Sequence, residues 1–391
     1  MPLRINILTS GRFHVCDLAR ELNALGHDVK FYSCVPRFVT RRFGLPDHCN
    51  RSLLLYLAPL FFLMRKAQRT RFWPASEKAF IEALDSLAAR LMGPCDVFIG
   101  MSGMSTKAAL AARRRFGAQV WIERGSRHIL SQKEILDALP GGARVSPYAV
   151  RRELADYALA DTVVIPSKHV ERSFLERGFP AQKLFRNPYG VDLAMFPPTP
   201  KPQNATPTLI FVGTWSFRKG CDVLAEAIDG RPWRLIHAGP EGDAPFPRME
   251  NFESRGFIPQ SRLAEAYAEA DVFVLPSREE GLSVVQTQSL ACGLPLVCTD
   301  RTGGEDLAAL LEDQTWVTVV PPDDAGGLRR GIGHALAKGR TQIGWRDILG
   351  KGRDHFSWPA YGERYSRELE RALTQRATAS DVKHNAATVG I

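Results

Sequence analysis

"PSREEGLSVVQTQSLACGLP", residues 276–295, sets two glutamates and a glycine directly after a run that reads as a buried strand, Val272–Leu275. Residues from Val284 have helical spacing, and Gln288 stands eight positions beyond Glu280. The next apolar run, Leu296–Cys298, reads as another strand. A strand, a turn, a helix and a strand imply a parallel sheet covered on both faces. The helix start leaves the amides near Gly281, Leu282 and Ser283 unpaired, at the carboxyl edge where such sheets bind ligands.

The same grammar extends in both directions. Upstream lie a strand at Leu209–Val212, a helix at Asp222–Ile228, a strand at Arg234–Ala238 and a helix at Leu263–Ala268; downstream comes Val317–Val320. "FPPTPKPQNATPT", 196–208, holds five prolines and reads as a linker. Before it the pattern starts afresh with Arg4–Leu8, a helix ended by Gly26, Val29–Ser33, Val97–Gly100, a helix around Lys107–Phe116, and Gln119–Ile122. "ADTVVIPS" (160–167) and "ADVFVLPS" (270–277) repeat one frame in the two halves. The expected fold is α/β: two doubly wound Rossmann-like domains facing a cleft. The first spans 1–195, the linker 196–208 and the second 209–355; a C-terminal helix at 356–374 can cross back to the first domain, and 375–391 is a disordered tail.

Composition narrows the function classes. The chain has 391 residues, 45% hydrophobic and 24% charged, as expected of a globular two-domain protein. Its formal charge of +9 points to anionic partners, yet the basic residues are scattered and no nucleic-acid motif accompanies them. Phosphate ligands and an anionic membrane surface fit better than nucleic acid. Seven cysteines without a C-x-x-C pair indicate reduced thiols in a cytoplasmic protein rather than a disulfide framework or zinc site. The run "LLLYLAPLFFLM" (53–64) is too short to span a bilayer and is broken by Pro59. It reads as a core or inter-domain helix or, flanked by Arg51, Arg65 and Lys66, as a surface helix dipping into a membrane interface.

"FVGTWSFRKGCDVL" (211–224) delivers Arg218 and Lys219 to a helix start, a phosphate-binding arrangement without the Walker spacing. The bland alternative is a solvated Arg-Lys pair. Glu280, beside the unpaired amides, can hold sugar hydroxyls, and Gln288 lies a little over two helical turns further along, so that it could reach a second part of the same ligand.

With these motifs in order, the chain resembles the nucleotide-binding half of the retaining glycosyltransferases of family 4, which have the two-Rossmann GT-B fold. The likeness runs from about Arg4 to about Leu336 and is strongest over 211–305. It implies a hexosyl transfer from a nucleotide sugar to a glycan or lipid-linked acceptor, with retention and without a metal; no D-x-D pair occurs. It assigns Arg218 and Lys219 to the leaving diphosphate and Glu280 to the donor sugar. Gly11, Gly213, Thr214, Ile258, Gly281, Leu282, Ser283 and Gln288 become donor-binding positions. Arg124 and His128, after the strand Gln119–Ile122, are candidates on the acceptor or donor-sugar side, with His14, Asp17 and Glu134 behind them. Two positions depart from the family pattern: Thr214 stands where arginine is usual, and Gln288 where the second acid of the Glu–seven residues–Glu motif belongs. These departures keep one alternative in view, a non-catalytic nucleotide-sugar binder or partner subunit; a nucleotide-sugar epimerase on the same fold is another, against which the Lys219-Gly220 loop and the Glu280 corner speak. The implied setting is cell-envelope polysaccharide synthesis at the inner face of the plasma membrane.

Overall fold

The computed structural model describes residues 2–68, 70–141 and 144–388. The chain forms two compact units, Met1–Glu123 with Arg151–Val163 and Trp358–Ile391, and Arg124–Val150 with Val164–Ser357.

The first unit is built on parallel strands β1 (Arg4–Leu8), β2 (Asp28–Ser33), β3 (Asn50–Ser52), β4 (Val97–Met101) and β5 (Gln119–Glu123). β1 sits between β2 and β4, with β3 beyond β2 and β5 beyond β4. Ile5, Ile7, Val97, Phe98, Val120 and Trp121 are fully buried, the pattern of a sheet covered on both faces. The helix Phe13–Ala24 buries Val15, Leu18, Ala19 and Leu22, and the chain leaves it through Gly26 at φ 90°. The C-terminal helix is Trp358–Thr388. It belongs to this unit because Tyr361, Tyr365 and Leu369 are buried, Ser366 bonds to His27 (2.8 Å), and the Tyr365 ring lies tilted 5.4 Å from Trp121. Residues 375–388 are therefore helical rather than an irregular tail; 389–391 lie outside the described residues.

The run expected to be a core or surface helix is the helix Leu54–Ala67, in which Leu57 and Ala67 are buried. It packs on Trp73–Leu91 and is not a core helix.

β6 (Thr162–Ile165) begins in the first unit and ends in the second. The second unit continues with β7 (Leu184–Arg186), β8 (Thr199–Pro200), β9 (Thr208–Val212), β10 (Arg234–Ala238), β11 (Phe252–Ser254), β12 (Val272–Leu275), β13 (Leu296–Thr299), β14 (Val317–Val320) and β15 (Trp345–Arg346). Six of these make a parallel sheet in the order β11-β10-β9-β12-β13-β14. The order reverses at β9, whose neighbours are β10 and β12, and the loops after β9 and β12 carry the candidate residues.

Two expectations change here. The segment 196–208 is not a free spacer: Phe196 is fully buried, β8 pairs antiparallel with β15, and Thr199 donates to the Cys292 carbonyl (2.8 Å). The expected division at 195 falls inside the second compact unit, which takes in residues 124–150 and 164–357. All seven cysteines are buried free thiols.

Candidate active site

The corner after β12 is assembled backbone against backbone. Gly220 holds φ 67°, and a Cβ there would stand 2.1 Å from the Pro276 carbonyl oxygen, so only glycine lets the loop after β9 meet the loop after β12. Gly281 is as tight: a Cβ would fall 1.8 Å from the Gly125 carbonyl oxygen. Arg278 ties the two loops together. Its amide donates to the Arg218 carbonyl (2.9 Å), and its guanidinium grips both Asp222 oxygens (2.7 and 2.7 Å), the Phe217 carbonyl (2.5 Å) and Asp323 (2.5 Å). Those acids, Asp222 first, raise the Arg278 pKa.

This frame brings Arg218, Lys219, Glu279 and Glu280 together. Lys219 pairs with the Glu280 carboxylate, and the Arg218 guanidinium stands 3.7 Å from Glu280 and 2.9 Å from Glu279. Glu279 is 0% exposed and the hub of the network. One of its oxygens accepts from the Ser126 hydroxyl, the other from Gln132 (3.2 Å) and Arg218 (2.9 Å). Burial favours its neutral form, but Arg218, Ser126, Gln132 and Arg124 outweigh it and hold the carboxyl below its ordinary range. Arg218 shows the reverse: burial opposes its charge, and Glu280 and Glu279 raise its pKa nonetheless.

The turn that follows is oriented from behind. His169 Nε2 donates to the Glu280 carbonyl (2.7 Å), and the Ser167 hydroxyl donates to the Gly281 carbonyl (2.9 Å). In a planar trans peptide the N–H points opposite the C=O. Anchoring these two carbonyls therefore turns the Gly281 and Leu282 amides the other way. Among the described residues, the amides of Gly281, Leu282 and Ser283 donate to nothing, and the helix Val284–Ala291 that follows has no side-chain cap. Burial pushes the His169 pKa down to about 4, so the imidazole is neutral at pH 7.

The remaining expected residues lie as follows. Gly213 holds φ 145°, its carbonyl accepting from His237 (2.9 Å), and Thr214 is exposed on the same loop. Ile258 is half-buried in the loop after β11. Gln288 is buried on Val284–Ala291, and its side-chain oxygen accepts from the Tyr267 hydroxyl (3.3 Å). Arg124 is buried and donates to Gln132 (2.7 Å) and the Arg127 carbonyl (3.0 Å), so it sits in the Glu279 network. His128 caps the helix Ile129–Asp137, accepting from the Leu130 amide (3.3 Å) with its ring edge-on to Phe174; burial, then Arg124 and Arg177, lowers its pKa to about 4. Glu134 pairs with Arg177. In the first unit, Gly11 lies in the turn after β1, its amide 3.4 Å from Thr9 Oγ1. His14 meets Glu123 at 2.9 Å, and Asp17 pairs with Arg20 (2.8 Å).

Sequence reasoning missed Glu279, Ser126, Gln132, Ser167, His169 and Arg278. The signals were faint: Ser126 lies in the polar loop after β5 and Gln132 in the helix that follows it, and Ser167 closes the first copy of the repeated "Ala-Asp…Pro-Ser" frame. Among the described residues, no group of three or more His, Cys, Asp or Glu side chains is placed to hold a metal ion.

A family model described as "Glycosyl transferases group 1" matches residues 206–338, and one described as "Glycosyl transferase 4-like domain" matches 11–190. The chain is 26% identical over 56% of its length to a subunit of the phosphatidylinositol N-acetylglucosaminyltransferase of Arabidopsis thaliana, covering 52% of that protein. It is also 26% identical over 54% of its length to the GDP-mannose-dependent alpha-(1-6)-phosphatidylinositol monomannoside mannosyltransferase of Mycolicibacterium smegmatis, covering 62% of it. The chain thus spans about half the length of the curated relatives it matches. Among solved structures, the sucrose-phosphate synthase of Thermosynechococcus elongatus superposes with a TM-score of 0.67 over 95% of this chain and 100% of that one, at 20% identity. Anabaena HepE in complex with UDP-glucose gives 0.62 over 94% and 100%, at 14% identity. At such identities the likeness is one of fold.

Proposed function

Because the chain belongs to the group 1, family 4 glycosyltransferases, we propose that it transfers a hexosyl group from a nucleotide-sugar donor to a glycan or lipid-linked acceptor, with retention and without a metal. The observation that carries this reading is the set of amides at Gly281, Leu282 and Ser283, without partners among the described residues and next in sequence to Glu280, which Lys219 and Arg218 flank. Positive side chains and outward amides at one helix start form a diphosphate cradle.

In this reading Lys219 and Arg218 exchange their hold on Glu280 for the donor diphosphate. They stabilise the charge that grows on it as the glycosidic bond breaks. Glu280, released from Lys219, takes the sugar hydroxyls. Glu279 remains bound to Arg218 and keeps that guanidinium in place through the exchange. The donor phosphate accepts the acceptor's proton on the face from which it leaves, which retains the anomeric configuration and requires no protein nucleophile. The relatives named for GDP-mannose dependence and for phosphatidylinositol acceptors, and the HepE complex with UDP-glucose, support this donor and acceptor chemistry. A role in cell-envelope glycan synthesis on the cytoplasmic face of the membrane follows from the same reading.

Gln288 favours a second reading, a nucleotide-sugar binder without turnover, since the ribose position carries no charge and its oxygen is already engaged by Tyr267. Incubating the protein with UDP-, GDP- and ADP-sugars, with and without EDTA, and measuring nucleoside diphosphate release separates the two. Release from at least one donor, undiminished by EDTA, is expected. Binding without release from any donor assigns the second reading.

A further inference from the structure

The helix Leu54–Ala67 carries apolar side chains all the way round. One side faces the helix Trp73–Leu91, where Phe61 meets Phe80 at 5.8 Å. The other side is bare: Leu55 is 89% exposed, Tyr56 68%, Phe62 59% and Leu63 57%. These positions and the exposed Pro59 follow one another at helical spacing, so they form a single stripe along the helix. A contiguous exposed apolar stripe of this kind marks an interaction surface.

Its charge says what it meets. Residues 51–76 contain no aspartate or glutamate. Arg65 and Lys66 follow the stripe in the last turn of the helix, both exposed, and exposed Arg71 lies over the ring of exposed Phe72 at 4.8 Å. Fourteen residues make a helix of roughly 21 Å, short of a bilayer core of about 30 Å. No described helix is long and apolar enough to cross a membrane. A two-fold contact would set the patch against itself, where residues 51–76 offer no acid to pair with Arg65, Lys66 and Arg71.

We propose that this face docks on an anionic lipid surface. Leu55, Tyr56, Phe62 and Leu63 enter the boundary between headgroups and acyl chains, while Arg65, Lys66 and Arg71 hold lipid phosphates. The inference is independent of the transfer reaction, since none of these residues belongs to the candidate active site.

The test uses the full chain and sedimentation with vesicles of phosphatidylcholine alone or with about a third phosphatidylglycerol. Binding to the anionic vesicles is expected, and little to the neutral ones. The combined variant L55S/Y56S/F62S/L63S should bind at least about 10-fold more weakly. The pair R65E/K66E should lose at least about 25-fold, from roughly 5-fold per basic residue at an anionic surface. All six side chains are exposed, so thermal unfolding should match the parent protein and exclude misfolding as the cause. Equal binding by the serine variant, or no binding to either vesicle, overturns the proposal. So does a dimer seen by light scattering that the serine variant abolishes in the absence of vesicle binding, which would give this face to a second copy of the chain.

Discussion

Replacing Glu279 by alanine and, separately, by glutamine tests whether the site is held from within. The carboxylate is fully buried and accepts from Ser126, Gln132 and Arg218 at once. Alanine removes all three acceptor contacts and leaves a guanidinium facing no acid on that side. Breaking one partner out of a buried ion pair costs about 3–5 kcal/mol. The Arg218 side chain is 39% exposed, so solvent recovers part of that and the low end applies. Glutamine can keep its carbonyl oxygen towards Arg218 and Gln132 while its NH2 donates to Ser126. Only the charge is lost, worth about 1–1.5 kcal/mol, the difference between charge-assisted and neutral bonds. At about 2–4 °C per kcal/mol for a unit of this size, Glu279→Gln should lower Tm by roughly 2–6 °C and Glu279→Ala by roughly 6–12 °C or more. Thermal unfolding followed by circular dichroism reads both, with urea midpoints as a check. Alanine within about 1 kcal/mol of the parent protein, or glutamine as costly as alanine, would refute the assignment of Glu279 as the hub.

Two further perturbations follow from the same geometry. His128 and His169 both have pKa values lowered to about 4 against an ordinary 6.5, so the unfolded chain binds more protons between those limits. Their stability contribution is complete above pH 6.5 and declines as pH falls towards 4, by about 1 kcal/mol each at pH 5.5; urea unfolding at pH 7.5 and 5.5 should show it, and stability independent of pH across that window contradicts it. Gln288→Glu restores an acid next to the Tyr267 hydroxyl, and titration calorimetry should find nucleoside diphosphate bound about 5-fold more tightly, or about 1 kcal/mol; weaker binding would take Gln288 out of the ribose position.

Much of the six-stranded unit was legible because its strands are buried on both faces and read as unbroken apolar runs. β10, β12 and β14 occur at the positions expected. The repeated frame has a structural basis: Asp161 accepts from the Val120 amide and Asp271 from the Thr208 amide, both at 2.8 Å. Each aspartate thus ties the start of its own strand to the start of a neighbouring one in its own half. Short edge strands such as β3, β7 and β11 lack that signal, since three residues carry no period. The partition at Glu123 was invisible for a different reason. It depends on which surface the loop after β5 packs against, and Ser126 and Gln132 reveal their partner only when Glu279, some 150 positions away, is in place. Glu280 was legible from its spacing to a helix start. Glu279 was not, because a buried and a solvated glutamate look alike in a sequence.

The role proposed for Lys219, with Arg218, is to hold the diphosphate of a nucleotide-sugar donor. Calorimetric titration of UDP, GDP and ADP into the parent protein and into Lys219→Ala measures it. Charge-assisted bonds contribute about 1.5–3 kcal/mol each, and part of that is already engaged in the Lys219–Glu280 pair. At least one nucleotide should bind the parent protein, and Lys219→Ala should weaken that binding about 10- to 100-fold, with thermal unfolding unchanged. An equal Kd for the two proteins would contradict it.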